Sequence, residues 1–512
     1  MNRSLPGIAR CVLPFLILLP AGCGSEPEKK SERSFPGVKI TVAAVGDVAS
    51  LEAVKAWRST WERETGGSVT FVPEAVEPAD LKGAHVVLYP ADRLGDMVDN
   101  RALGVLLDDS VRPPIPLGSK TLPPDRLAYS DIAPAFREQV AKYGDERFGL
   151  PIGGSGLVLI YRRDAFESEA NREAAKAKGI TLEPPKTWED LDALAAFFHG
   201  RDWDGDGTPE SGIVAALGPD PEGVGDTIVL ARAAALGQHP DYFGLLFDND
   251  TMEPRIVSPP FVEALSAVSA WKKAAPPRVE TFDAEAARAA LRAGAAARLV
   301  DQGARAAHRT APKRPSAVSV SALPGSPRVY DPGRKSWGPA VGLNRVMYLP
   351  RGGGWVAGVS GTATGPPRQA AIDFVRSIAG PETSRLLVAD PARLMLPVRN
   401  AQLGGGLPDP RAAQGVDSSA WGIAVARTVT APRIVPGLRI PGTDRYLSAF
   451  GKARVAAMND TPAESALSDA AKAWAEITKS LGVERQLWHY QRSLNKIITE
   501  RVPPPASKGS TP

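Results

Sequence analysis

The sequence predicts an α/β protein built on an open sheet, and three observations carry that prediction. Residues 38–46, VKITVAAVG, alternate apolar side chains and end on glycine, a strand running out into a loop. From Ser50 to about Glu64, Leu51, Val54, Trp57 and Trp61 recur at helical spacing, and Thr65-Gly66-Gly67 stops the run. SVTFVPE and AHVVLYP then follow as second and third strands. Strand, helix, strand at this spacing describes βαβ units. Ligands of such sheets lie beyond the carboxyl ends of the strands, which puts the loops at Gly46-Asp47 and Tyr89-Pro90 near any site.

Later elements are read the same way. From Asp131 a helix leads to Gly149-Leu150-Pro151, a glycine-rich stretch at 153–156 and the strand LVLIYR. Thr187 is placed to cap a helix, with Asp190 three residues on completing a box-like start. A polar turn, FDNDT, precedes a further helix in SPPFVEALSAVSAWKK. Ala297 to Val300 form a short strand ending at Asp301-Gln302-Gly303. VMYLPRGGGWVAGVSG reads as strand, triple glycine and strand, with a helix after it, and the last hundred residues are mostly helical. No internal repeat is evident.

The start of the chain speaks of export. Arg3 and Arg10 flank an apolar run, Cys11 to Leu19, and the small residues Ala21-Gly22 follow. That run falls short of the roughly 20 apolar residues a bilayer span needs, and the pattern is that of a secretory signal. Cys23 after the small pair resembles a bacterial lipobox, although Pro20 stands where leucine is usual. The resemblance implies cleavage of residues 1–22 and lipidation of Cys23; an ordinary signal with an incidental cysteine is the alternative. Residues 23–37 are polar and aperiodic, a flexible tether, and 501–512 form a loose tail. Cys11 and Cys23 are the only cysteines, so the body relies on core burial alone. Single cores stop growing at about 250–300 residues, so a chain of 512 suggests two or more domains. Net charge is +4 with acids and bases interspersed, which gives no case for nucleic acid or a basic membrane patch.

Metal chemistry has one candidate. In DWDGDGTPE, Asp202, Asp204 and Asp206 fall at positions 1, 3 and 5 of an EF-hand-like loop, and Gly207 at position 6 allows the turn. Thr208 supplies a carbonyl and Glu210 a direct or water-mediated contact. Position 12 is Ile213, so a complete EF-hand is excluded. The loop is either a truncated structural calcium site or a solvated turn; no other cofactor is called for. Enzyme signatures are lacking: the five histidines are not at metal-ligand spacing, and the glycine-rich stretches carry no P-loop lysine. The expectation is a protein that is not an enzyme.

Taken in order, ITVAAVGD, AHVVLYP, LGDMVDNRALGVLLDDS, RFGLPIGGSGLVLIYRRDAFE, PPKTWEDLDALA, SPPFVEAL, GAAARLVDQG and GGGWVAGVSG resemble the extracellular solute-binding proteins of ABC importers, in the maltose- and oligosaccharide-binding branch. The resemblance spans about residues 38–490. It implies a type II-like periplasmic-binding-protein fold, two α/β lobes with a hinge and a cleft. Residues 38–152 with about 300–351 would form one lobe, and 153–299 with about 352–500 the other. Crossings are expected near Gly153-Gly154, around Ala295 to Asp301 and at Gly352 to Gly354. Sugar recognition needs aromatic plates with planar polar groups. On family positions Asp47, Tyr89, Ser155, Asp301 and Trp355 are the ligand candidates; each is otherwise a turn or packing residue. Trp57, Trp61, Trp271 and Trp474 read as core. The implied function is capture of a sugar or oligosaccharide and its delivery to a permease from an envelope membrane, periplasmic or otherwise outside the cytoplasm. A secreted carbohydrate-active enzyme and a binding fold reused for sensing are the other readings.

Overall fold

The computed structural model describes residues 34–46, 51–111, 126–203, 207–302, 318–389, 395–403, 417–496 and 503. Cys23 with the expected signal and residues 23–33 of the expected tether, Asp47, Asp204 and Asp206 lie outside these residues. Residues 34–37, expected as part of a flexible tether, are instead held against the helix Leu51–Thr65: the Phe35 and Gly37 amides donate to the Thr65 and Gly66 carbonyls, and Phe35 stacks on Trp61. No helix among the described residues is long and apolar enough to cross a membrane.

The chain builds two lobes in successive passes. The first pass lays down β1 (Lys39–Ala44), α1 (Leu51–Thr65), β2 (Ser68–Phe71), β3 (Val86–Pro90), α2 (Leu94–Asp99) and β4 (Leu150–Gly154). β1 pairs in parallel with β2 on one side and β3 on the other. α1 ends as its sequence dictates, with Gly66 at φ 75° taking the left-handed turn.

The second pass contributes β5 (Leu157–Arg162), α3 (Trp188–Phe198), α4 (Val224–Gly237), α5 (Pro259–Ala270), α6 (Ala284–Arg292), β6 (Arg298–Gln302), β7 (Val318–Ser321), the hairpin β8 (Ser326–Asp331) and β9 (Ser336–Asn344), and β10 (Val346–Leu349). β6 and β7 flank β5, both antiparallel to it. The capping box at α3 forms as read: Thr187 Oγ1 accepts from the Asp190 amide at 3.0 Å, and Asp190 Oδ2 accepts from the Thr187 amide at 2.9 Å. α4 is buried on nearly every face, which makes it a core helix.

The third pass returns to the first sheet with β11 (Gly354–Val359), α7 (Gly365–Ile378) and α8 (Pro381–Ala389). β11 inserts antiparallel between β3 and β4, completing the order β2–β1–β3–β11–β4. The last pass adds α9 (Ser418–Val429), β12 (Arg433–Pro436), α10 (Thr443–Met458), α11 (Ala463–Leu481) and α12 (Val483–Ser493) to the second lobe. β12 pairs in parallel with β10. Phe247 stacks on Trp474 of α11 at 4.8 Å, joining the terminal helices to that core.

Two expectations about the lobes are corrected. Residues 318–349, expected with the first lobe, pair in the second, whereas 354–389 complete the first rather than the second. β3 is buried along its whole length and needs a partner on both edges; β11 supplies one. The expected crossing at 295–301 is also displaced, because β6 runs alongside β5 within the second sheet.

The other two crossings lie where glycine placed them. β4 passes into β5 through residues 154–157, and β10 passes into β11 through 350–354. The two strands touch there: the Ser155 amide donates to the Gly353 carbonyl at 3.0 Å, and Gly354 sits opposite Gly154. Arg351, Gly352, Gly353 and Gly354 have φ of 52°, 62°, 112° and 140°, a run that side chains resist. Space forbids a side chain as well, since a Cβ on Gly354 would stand 2.2 Å from the Gly153 oxygen.

Candidate functional site

Where the crossings meet, a cavity of about 790 Å³ opens between the lobes. Asp92, just past the carboxyl end of β3, contributes from the first lobe, and Arg351 and Gly352 contribute from the crossing. The second lobe supplies the loop and first turn at the start of α4, and one face of α10 with Ser448, Lys452 and Arg454.

Most of its charged groups are already engaged. Asp226 accepts from Arg454 Nε at 2.5 Å, and the same guanidinium donates to the carbonyls of Leu217 and Gly218. Burial still pushes Asp226 above the usual carboxylate range. Glu222 accepts from Arg288, and Asp444 from Arg93 at 2.5 Å. Asp220 accepts from the amide of Glu222, just ahead of α4, and from that of Val224, its first residue.

Asp92 is different. Its Oδ1 is buried with no hydrogen-bond partner among the described residues. Burial pushes the carboxyl up to about 6, and the nearby Arg351 charge only partly offsets that. A buried acceptor left unpaired costs stability. Asp92 and Arg351 are thus an acceptor and a forked donor on two different structural units, facing one cavity.

The sequence-based candidates are placed elsewhere. Tyr89 is fully buried, its hydroxyl donating to the Phe148 carbonyl at 3.4 Å, and burial pushes its pKa well above normal. Ser155 is buried in the crossing. Trp355 is 5 % exposed in β11, opposite Pro90 and Gly153. Asp301 accepts from Arg288 Nε at 2.6 Å and Nη2 at 2.7 Å. None of these four lines the cavity, although Asp301 reaches its rim through Arg288 and Glu222. Of the four tryptophans read as core, Trp61, Trp271 and Trp474 are buried, donating to Asp373, Asp192 and the Tyr446 carbonyl, whereas Trp57 is half-buried against the core and donates to Ser377 Oγ at 2.7 Å. Of the metal candidates, Asp202 Oδ2 accepts from the Gly207 amide and Glu210 Oε2 from the Trp203 amide, while Thr208 is exposed.

Sequence reasoning reached the Tyr89-Pro90 loop but stopped two residues short of Asp92. Arg351 adjoined the triple glycine that marked the crossing. Asp226 and Arg454 carried no local signal, since only the packing of α10 on α4 brings them together.

Known proteins agree with this architecture. A maltose-bound T. maritima protein superposes with a TM-score of 0.56 at 17% identity, covering 86% of this chain and 100% of its own. An ABC transporter solute-binding protein from Agrobacterium radiobacter K84 in complex with ribitol gives 0.58 at 19%, covering 86% and 99%. One from Agrobacterium vitis S4 with bound D-mannitol gives 0.57 at 14%, covering 87% and 99%. No protein of curated description matches the sequence. The family model of the bacterial extracellular solute-binding proteins matches residues 74–400, which takes in Asp92, Arg351 and both crossings. With that match over most of its length, the chain belongs to the bacterial extracellular solute-binding protein family.

Proposed function

We propose that this protein captures a sugar or polyol in the interlobe cavity and delivers it to the permease of an ABC importer. The observation that carries the reading is Asp92 at the carboxyl end of β3, whose Oδ1 is buried without a hydrogen-bond partner among the described residues, and which with the adjacent Arg351 of the crossing lines a solute-sized cavity. Family membership supports a binding protein working outside the cytoplasm. The ribitol, mannitol and maltose held by proteins of this fold support hydroxyl-rich solutes.

Closure follows from the hinge geometry. A solute touching both lobes is bound fully only when they approach, so it shifts the open–closed equilibrium by its extra contacts in the closed form. The arrangement of residues 1–23 supports a lipid on Cys23 that holds the receptor at a membrane. The Asp202–Gly207 contact is compatible with a structural calcium ion at the 202–210 loop, and calorimetric titration with calcium checks it. The test of the main reading is thermal unfolding against a panel of sugars and polyols, with Asp92→Ala as control. Stabilisation by a panel member that the substitution removes is expected; a panel without effect on the native chain would overturn the reading.

A further inference from the structure

The geometry points to an open-chain polyol, rather than a pyranose or an oligosaccharide, as the solute held between Asp92 and Arg351. This rests on the cavity being the solute site.

A pyranose presents a flat C–H face, and receptors answer it with an aromatic plate. All ten tryptophans lie among the described residues, and none lines this cavity. Among the described residues Tyr348 is the one aromatic in its lining, and it is 4 % exposed with its hydroxyl pushed up in pKa by burial. The remaining apolar lining is proline and aliphatic, including Pro221, Pro350 and Leu447. A sugar ring would lose water from its face and gain no π surface in return.

The polar groups suit a hydroxylated chain instead. Of the five lining carboxylates among the described residues, four are engaged: Asp220 by the backbone amides of Glu222 and Val224, and Glu222, Asp226 and Asp444 by arginines. That leaves Asp92 as acceptor, with Arg351 beside it and Ser448 and Lys452 across the cavity on α10. Each hydroxyl of an alditol both donates and accepts, so successive hydroxyls can donate to Asp92 and accept from Arg351. An alditol has no rigid apolar face to leave unmatched. The opposed charges of Asp92 and Arg351 suit a neutral solute. Because Arg351 lies within the crossing at φ 52°, a chain spanning Asp92, Arg351 and α10 ties both lobes and the hinge together.

Isothermal titration of the whole chain with D-mannitol, glucose and maltotriose tests this. D-mannitol is expected to bind at least tenfold more tightly than the other two. Arg351→Gln and Asp92→Asn are each expected to weaken it at least tenfold, with cooperative unfolding retained as the check on folding. Glucose or maltotriose binding as tightly as mannitol would overturn the polyol inference and leave solute capture standing. Mannitol binding that survives both substitutions would overturn the placement at this pair. Silence from all three, together with a silent thermal-shift panel, would overturn both readings.

Discussion

Asp92 carries a cost in the empty protein that its neighbours do not remove. Its folded-state pKa of about 6 exceeds the ordinary 3.8, so between those values the folded chain binds more protons than the unfolded one. Its contribution therefore favours folding below pH 3.8 and is lost as pH rises through 6. Asp92→Asn is expected to stabilise the ligand-free protein at pH 7.5 by about 1–2 kcal/mol, read by denaturant unfolding, while weakening solute binding. Destabilisation on that change would mean that Asp92 has a structural partner. Asp301 behaves in the opposite sense. Arg288 is wholly buried between Asp301 and Glu222, so Asp301→Ala leaves a buried cation half-paired and should cost about 3–5 kcal/mol. These two aspartates also show what the sequence revealed at this scale. Asp301 ends a strand, the position where a ligand contact is expected, yet an arginine 13 residues earlier claims it. Trp355 follows the hinge glycines, but β11 runs between two strands of a sheet covered by α7, and its side chain is packed away. Which face of a strand meets solvent depends on what covers the sheet, and no local pattern records that.

Elements were more legible than residues. β1, α1, β2 and β3 lie within a few residues of where periodicity and the stop at Gly66 put them, because each signal is local. Partner choice was not legible: β11 and β7 are both short, largely buried strands, and their assignment to lobes reversed because the edge each one fills decides it. The crossing was legible because conformation leaves glycine no substitute there. Gly354→Ala should cost about 2–3 kcal/mol, combining the left-handed φ with the contact on Gly153, and thermal unfolding measures it. α12 supplies a second link between the lobes. His489 lies wholly buried, its Nε2 3.2 Å from Asp99 of α2 and its Nδ1 3.0 Å from the Tyr143 hydroxyl. Burial holds its pKa below the ordinary value despite Asp99, with Arg485 and Arg492 adding to the depression. An unfolded histidine thus takes a proton near pH 6.5 that the folded one refuses, so this contribution is present above pH 6.5 and is lost on acidification. His489→Gln should flatten the stability profile between pH 5 and 7, and an unchanged slope there would contradict the assignment.

For the whole molecule, two lobes meet at two neighbouring crossings, and the cavity sits against them rather than within either lobe. A rotation of one lobe about the hydrogen-bonded pair at Ser155 and Gly353 would change the distance from Asp92 to α10 while leaving both sheets intact. The lobes also meet through Arg93–Asp444 and Arg485–Asp99, contacts that any such rotation must keep or exchange. Under the proposed closure, capture and movement are one event, and a measurement of shape reports on both. Small-angle X-ray scattering of the chain, titrated with D-mannitol alongside calorimetry, tests this most directly. The radius of gyration should fall, with a midpoint equal to the calorimetric one; an unchanged radius at saturation would contradict closure of the two lobes around the solute.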